Sequence, residues 1–474
     1  MAAHHFVVNL RTETASDTFR DALDPWGYLL PGNASRSIRE TARQLAAEGV
    51  EVVADNGYFD DIARVVGQHA DVADALHRQV GEQARLLGRD VRRGELAPQL
   101  RDAYRELAAE VREAAEAVTA DRNGTLPAQQ AAGPTRLIGM ENITMAAWLA
   151  LDIEPAYVEA RRDMYRSLNR SVARRASGEL AELDRGARSG YYAVASALDY
   201  NSALDAGKVF AEAGLQRVAM GFGAYMADDH FSDHVVVGRR RLDLGARLPM
   251  RYLRTALVAR GFWTGYRAVA GQPPLAFHFL GLGAPIVLGL VALCAHGTPL
   301  LTFDATSPVK DAVEGTLYVS RPAPLKIRTR RLALQLASGE RREWACPCPF
   351  CGPFAEAHPF DLEAASDWFA DHPGAEPSSD DLRPGGALFA ALPLMSEPAA
   401  GRLRTAVNAT RVGHNHWALR RLTDELDAAS RKRELRTHLE EVVESYERHT
   451  NSPPHAAAVR FAYEVAADKL DLGG

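Results

Sequence analysis

Two short stretches of this chain decide its fold: AFHFLG at residues 276–281 and PLLTFD at residues 299–304. Each is an apolar run of strand length that a glycine or an aspartate closes, which is typical of a strand buried in a parallel sheet. Between them lies the apolar run Val287–Ala295, which contains Cys294. We interpret Cys294 as a small core residue, because a free cysteine in such a run usually behaves as a small hydrophobic side chain.

The same pattern repeats from about residue 50 to residue 305. Further apolar runs, which end at a polar residue or a glycine or follow a glycine, occupy Val50–Ala54, Trp148–Leu151, Tyr191–Ala195 and Val218–Met220. Amphipathic helical patterns such as Pro155–Arg175 and Ala203–Gly214 lie between them. Alternating strands and helices predict a parallel sheet, and six or more such units favour an α/β fold of the (β/α)8 TIM-barrel type over an open sheet. The residues that close the strands should then lie at the C-terminal mouth, where barrel enzymes carry their chemistry.

A second decisive feature is CPCPFC at residues 346–351, which brings Cys346, Cys348 and Cys351 close together. Thiolates at this spacing repel one another, and Zn²⁺, which takes cysteine and histidine ligands in a tetrahedron, would neutralise them. A structural site needs a fourth ligand. The candidate ligands are His358, His372, His414 and His416. Spacing alone does not separate His414 from His358.

The change of pattern along the chain predicts three parts. Residues 1–45 are expected to form an N-terminal extension packed on the barrel, and residues 46–335 the catalytic barrel. Residues 336–474 are expected to form a zinc-binding helical subdomain. Its segment from about 352 to 400 is rich in Pro, Gly, Asp and Ser, which is typical of an insert of low order. Two charged helices, at about 417–445 and 455–469, are predicted after this insert.

Composition excludes some classes of protein. Hydrophobic residues make up 47% of the 474 residues and charged residues 24%, a globular balance without an apolar run of membrane-spanning length. The first residues, MAAHHF, lack the basic and apolar regions of a signal peptide. Clustered cysteines favour reduced thiols over a disulfide framework. We therefore expect a cytoplasmic protein that does not contact a membrane.

The net charge of −6 does not indicate a general nucleic-acid binder. Basic residues are nevertheless concentrated in three places. These are the helical stripe Arg162, Arg166, Arg170 and Arg174, the run 239–241 and the segment 326–331. Any one of them is more often a solvated surface, but three in an acidic chain predict a localised face for a polyanion.

The cysteine run, together with the pair His414-Asn415 at the predicted start of a C-terminal helix, resembles the zinc site of the tRNA-guanine transglycosylase family. The resemblance implies one structural Zn²⁺ held by Cys346, Cys348, Cys351 and His414. The spacing from the last cysteine to this histidine is longer here than in the family, and the predicted insert accounts for the excess.

Other motifs of the family can be matched along the barrel region. Phe303-Asp304 is similar to the pair that carries the family's nucleophile, and GLGAP at residues 281–285 is similar to its Gly-x-Gly-x-Pro turn. ADNGYF at residues 54–59 is similar to the stretch that carries the general acid/base, which implies Asp55. LALD at residues 149–152 implies that Asp152 recognises the base.

The family's glycine-rich strand end, which offers backbone groups to the base, resembles MGFGA at residues 220–224. Gly221, Phe222 and Gly223 are therefore implied to bind the substrate. The rings of Tyr58 and Phe222 are expected either to stack on the base or to pack in the core.

The implied reaction breaks an N-glycosidic bond and re-forms it with the same configuration, which a double displacement achieves. Asp304 would attack C1′, and Asp55 would transfer the proton to and from the base. The pKa of the proton-transfer group should be raised by burial or by its neighbour. Asp152 would accept the N1–H and N2–H of guanine.

Two features separate this chain from the family members that act on tRNA. Ala195 stands where those enzymes carry a glutamine, and ATSPVK at residues 305–310 replaces their Leu-Pro-Thr-Arg run. The motif Phe-Asp-x-Thr-Ser-Pro resembles the bacterial branch that replaces guanine in DNA with the 7-deazaguanine base preQ0, as part of a DNA-modification and restriction system. The resemblance implies DNA and a free 7-deazaguanine base as partners, with further proteins of that system and a homodimer as additional expectations.

Two alternatives stay open at this point. The first is a tRNA-guanine transglycosylase that inserts preQ1, queuine or preQ0 into tRNA. The second is a non-catalytic nucleic-acid-binding subunit with the same barrel and zinc site, against which the presence of Asp55 and Asp304 argues.

Overall fold

The computed structural model describes residues 3–89, 91, 95–121, 129–131, 133–153, 161–227, 229–237, 240–329, 331–332, 335, 346–357, 370–371 and 397–470. Two of the alternative metal ligands, His358 and His372, lie outside the described residues, as does most of the expected insert. Arg239 and the side chain of Arg162, from the predicted basic clusters, also lie outside them.

Parallel strands close into a barrel, which confirms the predicted (β/α)8 TIM-barrel class. The barrel strands are β1 (Ala3–Asn9), β2 (Gly27–Leu30), β3 (Glu51–Ala54), β4 (Arg136–Ile138), β5 (Tyr191–Ala195), β6 (Arg217–Gly221), β9 (Ala276–Leu280) and β10 (Leu300–Asp304). The antiparallel hairpin β7 (Phe231–Val237) and β8 (Arg240–Pro249) interrupts the series, so β6 pairs directly with β9. Strand β10 pairs with β1 and closes the barrel. A second antiparallel pair, β11 (Thr316–Val319) and β12 (Leu325–Arg328), follows it.

Helices connect the strands and cover the outside of the barrel. Before β6 they are α1 (Asp17–Leu23), α2 (Arg36–Ala47), α3 (Tyr58–Leu87), α4 (Pro98–Asp121), α5 (Ile143–Ala150), α6 (Arg161–Glu182), α7 (Arg185–Gly190) and α8 (Tyr200–Glu212). After β6 they are α9 (Gly223–Ala227), α10 (Met250–Ala270), α11 (Pro285–Cys294), α12 (Ser307–Val313), α13 (Cys351–Ala357), α14 (Glu397–Arg431), α15 (Leu435–His449) and α16 (Pro453–Ala466). Among the described helices, none combines the length and apolar character needed to cross a lipid bilayer.

Alternation along the strands creates two separate packing layers. Residues such as Val53, Val194 and Ala219 pack together inside the barrel. The residues between them face the helices, as Phe277 and Phe279 do against Trp263 of α10, with ring centroids 4.3 and 5.8 Å apart. Because both faces are covered, the strands consist largely of buried apolar residues. This explains why the strands read as continuous apolar runs in the sequence.

The expectation that residues 1–45 form an extension outside the barrel is wrong, because they supply the strands β1 and β2. Phe6 is in register with Phe303 of β10, and Val8 is in register with Tyr28 of β2. The barrel therefore begins at β1 rather than near residue 46. The apolar run that forms β1 is short, and its pairing partner β10 lies almost the whole barrel away in sequence, so local pattern could not identify it.

The expectation that Trp148–Leu151 is a barrel strand is also wrong. These residues end helix α5, which begins where the side chain of Asn142 accepts a hydrogen bond from the Met145 N–H at 3.1 Å. The strand in this region is the shorter β4. A short apolar run does not distinguish a buried strand from a buried helix, and here the N-cap was the better signal.

The C-terminal helices share one hydrophobic core with the barrel. Residues of α14, α15 and α16 pack in the same cluster as the outer faces of the strands. Asp427 of α14 accepts hydrogen bonds from the backbone N–H and the ring Nδ1 of His4 on β1, both at 2.7 Å. The predicted helix at 417–445 is in fact two helices, α14 and α15, and His414 lies within α14 rather than at its start. Cys294 is buried, and burial raises the pKa of its thiol to about 12. The thiol therefore stays protonated, which agrees with its interpretation as a small core residue.

Candidate active site and metal-binding cluster

Three carboxyl groups converge at the C-terminal mouth of the barrel. Asp55 directly follows β3, Glu141 follows β4, and Asp304 ends β10. Burial, followed by the charge of Asp304, raises the pKa of Asp55 to about 6. Burial, followed by the charges of Asp55 and Asp304, raises the pKa of Glu141 to about 8. Asp55 and Glu141 are both half-buried. The structure thus brings together two predicted residues, Asp55 and Asp304, and adds Glu141.

The turn after the neighbouring strand β9 positions the Asp304 side chain. The N–H of Gly281 donates to its Oδ1 at 3.3 Å. Gly281 has a φ of +73°, and a Cβ at this position would lie 3.1 Å from the backbone nitrogen of Gly223. Glycine therefore permits the turn after β9 to approach both Asp304 and the turn after β6. The carboxylate is 5% exposed, so its environment is set by protein groups.

Asp55 is fixed by the chain that surrounds it. The neighbouring Asn56 donates from Nδ2 to the carbonyl oxygen of Gly139 at 2.8 Å, and its Oδ1 accepts from the Tyr58 N–H at 3.1 Å. The side chain of Gln129 donates to the Asp55 carbonyl oxygen at 2.6 Å. These bonds join the end of β3 to the end of β4, which positions Asp55 next to the segment that carries Glu141.

Glu141 occupies the place expected of Asp152. A Cβ on Gly221 would lie 2.8 Å from the Glu141 Oε1, so the glutamate side chain lies directly over the end of β6. The predicted Gly221 therefore lies in the site. Gly223, two residues on, follows the same strand end. Sequence reasoning missed Glu141 because β4 is short, although a carboxylate between the apolar run LIGM and the N-cap Asn142 was an available signal.

Asp152 lies elsewhere. It follows helix α5 in the left-handed region, with a φ of +47°. Its charge acts on Tyr104 of α4, whose pKa is raised by burial and then by Asp152. The preceding residue, Leu151, has its carbonyl oxygen 3.0 Å from Nε2 of His77 on α3. Asp152 is thus a residue of the helical layer and does not join Asp55 and Asp304.

Tyr58 and Phe222 are core residues. Each side chain is 0% exposed and packs between the barrel and its helices. The ring of Phe222 contacts Tyr225 and Phe279, with centroids 5.4 and 5.3 Å away. Of the two expectations for these rings, core packing is the one that the structure shows. Neither ring offers a face to a base.

The three clustered cysteines and His414 form a compact ligand set. Nδ1 of His414 lies 3.4, 3.5 and 3.4 Å from the sulfurs of Cys346, Cys348 and Cys351. A tetrahedral ion with metal–sulfur bonds of about 2.3 Å and a metal–nitrogen bond of about 2.0 Å would separate sulfur and nitrogen by about 3.5 Å. The four ligand atoms lie within 4.8 Å of one another. The cluster therefore suits a structural metal ion such as zinc.

The histidine of this cluster is oriented by a second contact. Nε2 of His414 lies 2.7 Å from the carbonyl oxygen of Tyr318 on β11. A carbonyl accepts, so Nε2 carries the hydrogen and Nδ1 is free to bind a metal, as is usual for histidine ligands. His416 points away, with Nδ1 2.8 Å from the Val412 carbonyl oxygen of its own helix. The structure thus favours His414 over His416.

Asn415 connects the helix of the metal-binding cluster to the segment that follows Asp304. Its Oδ1 accepts from the Tyr318 N–H at 2.8 Å. Its Nδ2 donates to the carbonyl oxygens of Pro308 and Thr316 at 3.0 and 3.1 Å. Pro308 lies in α12, the helix that follows Asp304. The buried asparagine therefore ties α14 to the segment that leaves the mouth of the barrel.

The predicted basic clusters are partly neutralised within the protein. Arg166 pairs with Asp205 at 3.0 Å, Arg241 with Asp233 at 3.5 Å and Lys326 with Asp311 at 2.6 Å. Arg170 and Arg174 remain exposed on α6. Among the stripe residues whose side chains the structure describes, these two arginines are the exposed ones.

Comparison of the sequence with protein-family models and with curated proteins found no match. The fold and the two clusters therefore rest on the structure itself.

Proposed function

We propose that this protein is a base-exchange transglycosylase that replaces guanine in DNA with preQ0 through a covalent aspartyl-glycosyl intermediate. The observation that carries the proposal is the convergence of Asp55, Glu141 and Asp304 at the mouth of a TIM barrel, with the pKa of Asp55 raised to about 6 and that of Glu141 to about 8. When neighbouring carboxyl groups have different pKa values, one can be protonated and act as an acid while another is ionised and acts as a base or nucleophile.

Each carboxyl group has one role in the proposed reaction. The Asp304 carboxylate attacks C1′ while Asp55 gives its proton to the departing guanine. The incoming base then gives a proton to Asp55 and displaces Asp304 from C1′, which restores the original configuration. Two inversions at C1′ therefore give overall retention, and the enzyme returns to its starting protonation state.

Glu141 takes the base-recognition role that the family resemblance had implied for Asp152. In its ionised form it can accept two hydrogen bonds, from N1–H and N2–H of guanine. The absence of a side chain at Gly221 leaves space for this carboxylate. Since preQ0 presents the same N1–H and N2–H donors, the same carboxylate would hold the incoming base.

We further propose that the ligand set of Cys346, Cys348, Cys351 and His414 holds one Zn²⁺. Three thiolates and an imidazole fill a tetrahedral site and leave no position for a reacting water. Its role would be structural, because it fastens α13 to α14 beside the segment that leaves the active site.

DNA is proposed as the polymer substrate on the resemblance of residues 303–308 to the DNA-acting branch, with tRNA as the alternative. The exposed Arg170 and Arg174 could contact phosphates in either case. The target nucleotide must leave its stack to reach a barrel mouth, which costs a few kcal/mol. Partner proteins that open a duplex would lower that cost, which is why other proteins of the modification system are proposed as partners.

A direct experiment incubates the purified protein with guanine-containing DNA and with tRNA, each with labelled preQ0. Incorporation into DNA alone is expected, and incorporation into tRNA alone would favour the alternative. Asp304→Asn should abolish incorporation, which would also exclude a non-catalytic subunit.

A matched pair of variants tests the reassigned recognition residue. Glu141→Gln should reduce incorporation at least about a hundredfold, because it places an amide donor against the donors of guanine. Asp152→Asn, which alters a carboxylate outside the mouth, should leave incorporation close to that of the unaltered protein. The opposite ranking would contradict the assignment.

A further inference from the structure

Beneath the three carboxyl groups, the barrel interior holds a buried histidine to which no role has yet been assigned. His278 lies in the middle of β9 and is fully buried. Its Nδ1 lies 2.7 Å from Oγ1 of Thr302, its register partner on β10. Its Nε2 lies 3.1 Å from Oδ1 of Asp304. The ring therefore bridges a hydroxyl group and the proposed nucleophile.

Hydrogen-bond chemistry indicates which ring nitrogen carries a hydrogen toward Asp304. An ionised carboxylate only accepts, so an Nε2 that faces Asp304 favourably carries a hydrogen. The hydroxyl of Thr302 can donate as well as accept, so it can pair with Nδ1 in either case. The arrangement on β9 and β10 thus places an imidazole N–H next to Asp304.

The Nε2–H of His278 approaches Asp304 without an aligned hydrogen bond. Among the described residues, Nε2 has no partner with hydrogen-bond geometry, although the distance to Oδ1 is short. The same oxygen also receives the Gly281 N–H at 3.3 Å. A buried donor without an acceptor is unfavourable, so a rotation of the carboxylate that aligned the two groups would be favoured.

We propose that His278 is a positioning residue for Asp304, which it orients toward C1′ and whose negative charge it stabilises each time Asp304 leaves the sugar. The inference rests on the base-exchange function proposed above. Thr302 supports it by holding the ring through its contact with Nδ1. Both residues act through Asp304 and do not touch the substrate.

The charge on Asp304 changes during the two steps, and this gives His278 a specific effect. In the first step the Asp304 oxygen bonds to C1′, the C1′–N bond breaks, and its electron pair leaves with the base, which takes the Asp55 proton. In the second step the incoming base, having given its proton to Asp55, bonds to C1′, and the pair of the C1′–O bond returns to Asp304. The N–H of His278 favours the ionised carboxylate and therefore assists the second step in particular.

A test in the reaction compares His278→Leu, which removes the donor, with His278→Gln, whose amide N–H can replace it. A labelled DNA oligonucleotide is exchanged with preQ0, and the fraction covalently bound to protein is measured after denaturation. His278→Leu should lower turnover on the order of tenfold or more and raise the covalent fraction, while His278→Gln recovers most of the turnover. Equal turnover and an equal covalent fraction in His278→Leu and the unaltered protein would overturn the inference.

A second test does not depend on the reaction. Thermal unfolding at neutral pH is compared for the unaltered protein, His278→Leu, Asp304→Asn and the double variant. A hydrogen bond to an ionised carboxylate is stronger than one to a neutral amide, so His278→Leu should lower the Tm more when Asp304 is present than in Asp304→Asn. Leu29→Ala, a truncation elsewhere in the barrel interior, should lower the Tm equally in the two backgrounds. An equal loss from His278→Leu in the two backgrounds would overturn the inference.

The two tests also separate failure of the inference from failure of the proposed function. A protein that exchanges no base would refute the function, while the unfolding cycle would still decide whether His278 acts on Asp304. If His278→Leu does not fold, Thr302→Val and His278→Gln replace it in the same cycle. Both should weaken the coupling to Asp304 less than full removal of the ring does.

Discussion

Glu141 holds a proton at neutral pH in the free protein, because burial and the charges of Asp55 and Asp304 raise its pKa to about 8. In this form it lies among carboxylates without adding a third negative charge. A base that offers N1–H and N2–H would favour the ionised form instead. Binding of guanine or preQ0 should therefore release a proton from Glu141 between about pH 6 and pH 8.

Glu141 also makes stability depend on pH. Its pKa is raised from 4.5 to about 8 on folding, so the folded state binds more protons than the unfolded state in this interval, and stability falls as pH rises through it. We expect Glu141→Gln to be more stable than the unaltered protein above pH 8, by on the order of 1–3 kcal/mol, and nearly equal to it at pH 4. Denaturant unfolding at several pH values measures this, and parallel curves for the two proteins would contradict it.

The pH profile of the reaction should reflect the same cluster. In the proposed reaction, Asp55, with a pKa of about 6, is protonated to assist departure of the base, and Glu141, with a pKa of about 8, is ionised to recognise it. Between these values the ionised fraction of Glu141 rises as the protonated fraction of Asp55 falls, so the two changes offset each other. Activity should therefore rise up to about pH 6, stay level to about pH 8 and fall above it, with both values belonging to the coupled cluster. Measurement of kcat/KM against pH tests this. A profile that does not change in Asp55→Asn would contradict the assignment.

At the scale of elements, the contacts of Asn415 fasten helix α14 to the end of the barrel. Three hydrogen bonds from one buried side chain satisfy the backbone of Tyr318, Pro308 and Thr316. Removal of such a side chain leaves buried backbone groups without hydrogen-bond partners. It therefore lowers the free energy of unfolding far more than removal of an exposed side chain does. This explains why the residue beside the metal ligand His414 has a structural role of its own.

Asn415→Ala should accordingly destabilise the protein by about 2–4 kcal/mol, since it leaves an N–H and two carbonyl groups buried without their partner. Asn451→Ala, in the loop between α15 and α16, is the control and should change stability by less than about 0.5 kcal/mol. Chemical denaturation measures both, and similar losses in the two variants would show that the buried contacts do not stabilise the fold.

At the scale of the whole molecule, the barrel is closed by its first strand and held by its C-terminal helices. His4 of β1 contacts Asp427 of α14, and the helices share the barrel's core. A metal ion that binds only the folded arrangement of the cysteine cluster stabilises everything coupled to that core. The metal cluster and the barrel should therefore unfold together.

Removal of the metal tests this coupling. The purified protein should contain one equivalent of Zn²⁺, and Cys348→Ser should lose it and lower the Tm by at least about 5 °C. Cys294→Ala, which alters the cysteine outside the cluster, should retain the metal. Elemental analysis and thermal unfolding provide the readouts. Unchanged zinc content in Cys348→Ser would refute the ligand assignment.

The sequence by itself determined the features that depend on local pattern. Asp55 and Asp304 follow uninterrupted apolar runs, so their place at strand ends could be predicted. Three cysteines within six residues, Cys346 to Cys351, could likewise be recognised as a ligand set. In each case the residues that define the feature lie close together along the chain.

Only the tertiary structure decided the features that depend on distant partners. Strand β1 is defined by its pairing with β10. The packing of the Tyr58 and Phe222 rings in the core depends on which side of the barrel wall they face. Glu141 and Asp152 both follow short apolar runs, and only packing shows that the first run is a barrel strand and the second a buried helix. The contact of His278 with Asp304 arises from the register of two strands. Periodicity over so few residues cannot encode such choices, because burial on all sides removes the polar face that would reveal them.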